Sequence, residues 1–224
     1  MIGTFINTIA ILAGSSLGLA LHNKFPEKIK SIVFQGIGLF DIVLGVQMAL
    51  QAINPLITIF SLLVGGIIGQ LANLDVKLEN LSEGLKRITK SKSNTFTIGL
   101  MTASLLFCVG PMAILGSIND GLQGDYALLL TKSVLDGISS IALASSLGVG
   151  VVFSSVAVLL YQGTITLFAG MAQDLFTTTV IKELTGVGGI LILGLGFNLL
   201  EIKRINVTNL LPSLLVVIVL TAIL

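Results

Sequence analysis

Charge is scarce in this chain. Asp, Glu, Lys and Arg make up 10% of its 224 residues, where a soluble domain carries about 25%. Hydrophobic residues reach 54%. So little polar surface cannot cover a globule in water, and the composition is that of a polytopic membrane protein. Tryptophan is absent and tyrosine occurs twice, which leaves little for an aromatic belt at the membrane interfaces. The single cysteine, Cys108, excludes an intramolecular disulfide and implies no thiolate metal site. The single histidine, His22, sits beside lysines at a helix end and reads as an interfacial residue. A net charge of +1 provides no global field for nucleic acid.

Enzyme signatures are missing as well. There is no histidine–acid cluster, no cysteine nucleophile and no phosphate-cradling loop. Gly186-Val187-Gly188-Gly189 opens an apolar helix and follows no strand, so it is no nucleotide fingerprint. These absences predict a protein that is not an enzyme and uses no cofactor. Residues 1–21 lack a basic n-region, and their apolar run is too long for the core of a cleavable signal.

What the chain does have is apolar length. A spanning helix needs about 20 mainly apolar residues. Eight stretches qualify: Ile2–Leu21, Ser31–Leu50, Pro55–Leu71, Thr95–Ile118, Tyr126–Leu147, Gly150–Gly170, Thr185–Leu200 and Val207–Leu224. The expectation is an all-α transmembrane bundle of about eight spans, forming a single integral membrane domain over residues 1–224. Between the third and fourth stretches lies a polar segment, Asn73–Asn94. Its apolar residues Leu74, Leu78, Leu81, Leu85 and Ile88 recur at helical spacing, which predicts an amphipathic helix on the membrane surface.

Basic residues are unevenly shared among the loops. Lys24, Lys28, Lys30, Lys77, Lys86, Arg87, Lys90, Lys92, Lys203 and Arg204 fall on one side, and Lys182 alone falls on the other. Basic loops stay in the cytoplasm, so eight spans place both termini outside.

The stretch Phe107–Gly121 interrupts the fourth span. Pro111 has no N–H to donate and clashes with the preceding turn, so the helix breaks near Gly110. In lipid, a broken helix is tolerated where protein or a water-filled cavity satisfies the freed backbone groups. Gly110, Pro111, Ser117 and Asn119 are therefore candidate ligand contacts beside a cavity, with a turn expected over Asn119–Gly124. The plainer reading is a packing kink.

The chain also echoes itself. Ala10-Ile11-Leu12-Ala13-Gly14-Ser15-Ser16 parallels Ala113-Ile114-Leu115-Gly116-Ser117-Ile118, and Leu39-Phe40-Asp41 parallels Val134-Leu135-Asp136. A unit of three spans reverses direction, so repeat halves 1–72 and 95–170, followed by C-terminal helices in 171–224, would be inverted. That is the plan of many secondary transporters. Asp41 and Asp136 both lie near the bilayer midplane, where a charge costs ~3 kcal/mol or more and normally meets a cavity or a partner. Lys132 is four residues before Asp136, on the same helix face. The expectation is that Asp41 and Asp136 face one another and, with Lys132, form an ion- or proton-coupled site. The structural alternative is that each acid is merely hydrogen-bonded to a neighbouring helix.

Met1-Ile2-Gly3-Thr4-Phe5-Ile6-Asn7, Gly38-Leu39-Phe40-Asp41 and the run Phe107–Gly121 carry a family resemblance. The chain resembles, over essentially its whole length, the bacterial inner-membrane proteins grouped as domain of unknown function 554, the YdfK/YqgA-like family. The run Gly110–Ile118 is the most specific part. The resemblance implies a bacterial cytoplasmic-membrane protein and brings no catalytic residues with it. The residues themselves suggest a secondary transporter or channel for a small solute or ion, coupled to protons or cations. A non-transporting assembly or regulatory component is the alternative. Glycine-rich faces on the third and seventh spans suggest a homodimer; the other expected partners are the bilayer and the solute. No particular metal is implied.

Overall fold

The computed structural model describes residues 1–22, 27–89 and 95–223, and all of their regular structure is helical. The elements are α1 (Ile2–His22), α2 (Glu27–Ala49), α3 (Pro55–Leu71), α4 (Leu74–Thr89), α5 (Phe96–Cys108), α6 (Pro111–Gln123), α7 (Ala127–Leu147), α8 (Gly150–Leu167), α9 (Ala169–Leu175), α10 (Thr178–Leu199), α11 (Val207–Leu210) and α12 (Ser213–Ile223). The polar segment is helical over α4, as its spacing requires; its last residues, 90–94, lie outside the described part.

Four helices are long and apolar enough to cross a membrane: Ile2–Leu21, Ala127–Leu147, Gly150–Leu167 and Thr178–Leu199. Two bent pairs raise the number to six. Pro55–Leu71 meets Leu74–Asn80 at 56°, and Phe96–Cys108 meets Met112–Gln123 at 57°. Gln35–Ala49 and Val207–Ile223 are shorter apolar stretches.

The break in the fourth stretch falls where proline chemistry puts it. A residue before proline is pushed out of the helical region, and Gly110 is extended, with φ −68° and ψ 147°. Pro111 then opens α6 at its first position, where a missing N–H costs nothing. The turn, in contrast, comes later than expected. Asn119, Asp120 and Gly121 remain inside α6, which ends at Gly124 in the left-handed conformation (φ 68°) that glycine adopts without strain.

Other boundaries shift for local reasons. The Asn54 side chain caps α3 and Pro55 occupies its first turn. α10 starts at Thr178, earlier than hydropathy suggests, because Thr177 caps it by accepting from the Val180 amide at 3.3 Å. The last stretch is divided at Leu211-Pro212, where proline again removes a donor.

The chain forms two compact units, each assembled from separated stretches. The first comprises α1, the start of α2 through Val33, and α5 to α9; the second comprises α2 from Phe34 onward, α3, α4 and α10 to α12. These units are not the stretches 1–72 and 95–170. A compact unit records packing and a repeat records topology, and the two need not share boundaries.

In the first unit, α1 packs along α7 and α8, while α5 lies on α8. The approach of α1 to α7 is close: a Cβ at Gly14 would overlap the Gly137 carbonyl, and one at Gly18 the Ile141 carbonyl. Gly3 meets Leu129 further up. Numbers rise together along both helices, so α1 and α7 run parallel.

In the second unit, α2 and α10 share a glycine seam. A Cβ on Gly45 would lie 2.7 Å from the Gly189 carbonyl oxygen, and the reverse contact is the same. Gly196 meets the Gly38 carbonyl oxygen at 2.9 Å. Here one number falls as the other rises, so these helices are antiparallel. α3 lies along α11 and α12, where Gly69 abuts the Asn209 carbonyl and Gly65 abuts Ser213. The glycine faces that suggested pairing of two copies are thus filled within the chain.

Candidate functional site

The buried stripe of α1 runs through Thr4, Asn7, Thr8, Ile11, Gly14, Ser15 and Gly18, at steps of three and four. One helix face carries them all, and the face is polar where it meets α7 and α8. Asn7 is the central residue. Its Nδ2 donates to Asp136 Oδ2 at 3.0 Å and to Gln162 Oε1 at 3.3 Å. Lys132, one turn before Asp136 on α7, places Nζ 2.7 Å from Oδ1 and 2.5 Å from Oδ2. The same ammonium lies 5.8 Å from the centroid of the Phe107 ring, in the last turn of α5 before the break. Next to this set, Thr4 and Thr166 share a hydrogen bond at 3.2 Å, and Ser140 Oγ donates to the Ile11 carbonyl at 3.3 Å.

Burial is nearly complete: Asn7 and Gln162 are 0% exposed, Lys132 5% and Asp136 6%. The cluster carries no net charge, because the Lys132 ammonium neutralises the Asp136 carboxylate. Its hydrogen bonding is incomplete. Among the described residues, the acceptor Asn7 Oδ1 and the donor Gln162 Nε2 have no partner. An unmade hydrogen bond on a buried group costs about 1–3 kcal/mol. One acceptor and one donor of the cluster are thus left unpaired inside the unit.

The residues flanking the break are placed differently. A Cβ on Gly110 would meet nothing within 4 Å, so the bend leaves open space on that side. The Pro111 side chain lies outside the described part. Ser117 is buried, but its hydroxyl is spent on the Ala113 carbonyl of its own helix at 2.6 Å. Asn119 is half-buried on α6 and does not join the cluster. Its neighbour Asp120, which sequence reasoning assigned to a loop, is buried and holds the start of α1: Oδ2 accepts from the Gly3 amide at 3.1 Å and Oδ1 pairs with the α-amino group at 3.0 Å. A groove of about 650 Å³ lies between α8 and α9, lined by Thr164, Phe168, Met171, Leu175 and Phe176 among others. Its walls are mostly apolar, with Thr164 and Asp174 as the polar residues of the lining.

Asp41 belongs to the second unit. It lies between Gly38 and Gly45 on the α2 face that meets α10, and is 1% exposed. Neither of its oxygens has a hydrogen-bond partner among the described residues. The two acids that match in sequence thus differ in surroundings. Asp136 has Lys132 four residues before it; Asp41 has Ile37.

Glu183 is a further buried acid, one that the sequence pattern does not single out. It is 0% exposed in the first turns of α10, and its Oε1 accepts from the Ile53 and Asn54 amides at 3.0 and 2.7 Å. The carboxylate ties down the link between α2 and α3. An acid just before a glycine-rich apolar helix was the available signal.

An all-helical bundle of apolar helices, with a polar cluster sealed inside one compact unit, defines a multi-pass membrane protein. Its family follows from comparison: the model for the protein of unknown function DUF554 matches residues 2–222, and the chain belongs to that family. It is 39% identical over 220 residues to the uncharacterised membrane protein YdfK of Bacillus subtilis (strain 168), covering 96% of this chain and 93% of that one. It is 31% identical over 229 residues to the uncharacterised protein YqgA of Escherichia coli (strain K12), covering 99% and 97%. No solved structure matches.

Proposed function

We propose that this protein is a secondary transporter or channel for a small solute or ion in the bacterial cytoplasmic membrane, working without a cofactor or enzymatic chemistry. The observation that carries the reading is the cluster Asn7–Asp136–Lys132–Gln162. It is held by three helices beside the broken α5–α6 pair and keeps a spare acceptor and a spare donor. Polar residues at such depth are costly and mark solute or ion paths.

The parallel packing of α1 and α7 supports a particular topology. A chain crossing a bilayer alternates direction, so an odd number of crossings separates two parallel spans. α2, α3 and a single bent α5–α6 span supply three. With α8, α10 and the α11–α12 stretch, the total is eight, and the basic loops face the cytoplasm. A homodimer remains the expected assembly.

One observation favours the alternative, a non-transporting assembly or regulatory component: both oxygens of Asp136 are engaged by Lys132. The deciding experiment uses a variant that stays folded. Replacing a buried ion pair by apolar residues of similar size is often neutral, so Lys132→Met with Asp136→Leu keeps the bundle. Wild type and variant are reconstituted in liposomes under imposed Na⁺ or pH gradients. Trapped pyranine reads internal pH, and a panel of labelled amino acids, organic acids and sugars reads uptake. Transport reads as a flux above empty liposomes that the double variant abolishes. Absence of any wild-type flux, or equal flux in both proteins, leaves the pair structural.

A further inference from the structure

Asp41 presents a problem of charge that nothing among the described residues of its own unit solves. About 14 residues of α2 precede it and eight follow, which places it roughly 21 Å from one helix end and 12 Å from the other at ~1.5 Å per residue. A carboxylate so deep in an apolar bundle needs a counter-charge or hydrogen-bond donors.

The described part of the second unit offers neither. From Ser31 to Ala49, α2 contains no other charged residue. α3, α11 and α12 contain none, α10 contains none after Glu183, and Glu201, Lys203 and Arg204 in the link from α10 to α11 are exposed. The only charges on α10 are Lys182 and Glu183 near its start, and Glu183 is tied to the Ile53 and Asn54 amides. Donors are no better supplied. The buried hydroxyls of this unit are Thr58, Ser61, Thr185 and Ser213, and each donates to a carbonyl of its own chain segment: Asn54, Ile57, Ile181 and Leu210. Asn209 donates its side-chain amide to Gln70.

We propose that Asp41 is a binding site for a single positive charge, a proton or an alkali cation, within the second unit. Asp136 needs no such charge, because Lys132 already meets it. The Asp41 site does not rest on the transport reading: a non-transporting protein would need the same counter-charge.

The test uses dicyclohexylcarbodiimide on the purified full-length wild-type protein in detergent. The reagent adds to a protonated carboxyl. The carboxyl oxygen bonds to the carbodiimide carbon, the proton passes to nitrogen, and the adduct rearranges to a stable N-acylurea read by peptide mass spectrometry. The expected result is an adduct on Asp41, absent in Asp41→Asn, whose yield falls severalfold as pH rises or as Na⁺ replaces choline at fixed pH. Loss with pH alone identifies the proton as the bound charge; protection by Na⁺ identifies the alkali cation. Asp136, shielded by Lys132, stays unmodified. The proposal is overturned if Asp41 is unmodified at every pH, if its yield ignores both pH and Na⁺, or if Asp136 is modified equally. Because the readout involves no flux, this failure is distinguishable from failure of the transport reading.

Discussion

Asn7 and Asp136 stand 129 positions apart in the chain and share a 3.0 Å hydrogen bond in the interior of the first unit. The bond crosses from α1 to α7 at the level where Lys132 closes on the same carboxylate. The first helix is thereby locked to the fifth apolar stretch by a polar contact that neither helix could satisfy alone.

Breaking the ion pair on one side should be costly. Asp136→Asn leaves the Lys132 ammonium buried without a counter-charge, and removal of one partner of a buried pair costs about 3–5 kcal/mol. Lys132→Met combined with Asp136→Leu should recover most of that loss. Unfolding of the three proteins in mixed micelles by a denaturing detergent measures it. A single variant as stable as wild type would show that the pair is not closed in the membrane.

The Asn7–Gln162 contact should behave as a network. Asn7→Leu removes the donor to both Asp136 and Gln162, and Gln162→Leu removes the acceptor; each should cost about 1–3 kcal/mol. The two groups share partners, so the double variant should cost less than the sum. Strict additivity would contradict the shared hydrogen bonding.

Two glycines separate packing from propensity. Gly14→Ala drives a methyl into the Gly137 carbonyl and should destabilise by about 1–3 kcal/mol as α1 and α7 move apart. A methyl on Gly36 in α2 would meet nothing within 4 Å. Gly36→Ala should therefore stabilise by roughly 0.5–1 kcal/mol through helix propensity. Equal effects in thermal unfolding would refute the close α1–α7 approach.

Topology is tested at Ser91, in the polar segment and outside the described residues. With Cys108 replaced, Ser91→Cys should react with an impermeant maleimide in inverted vesicles and not in intact cells. Labelling of intact cells would reverse the orientation derived from the basic loops.

Much of the architecture is set by local chemistry, which is why it is legible in one dimension. Apolar length and scarce charge dictate helices in lipid. Gly110-Pro111 dictates a break, because a residue before proline leaves the helical region whatever surrounds it. Lys132 and Asp136 are one turn apart, so their pairing needs nothing beyond the helix that carries both. Tertiary packing decided the rest. Asn119 and Asp120 look like a turn, yet they continue α6, and the Asp120 carboxylate is used by the start of α1. Glu183 looks like the polar edge of a loop, but it is buried because two amides from the α2–α3 link reach it. Asp41 and Asp136 sit in matching sequence, yet one has a lysine, an asparagine and a ring around it and the other has glycine seams. Helical periodicity states which residues share a face. Which face meets which depends on contacts between residues far apart in the chain, and those exist only once the helices have packed.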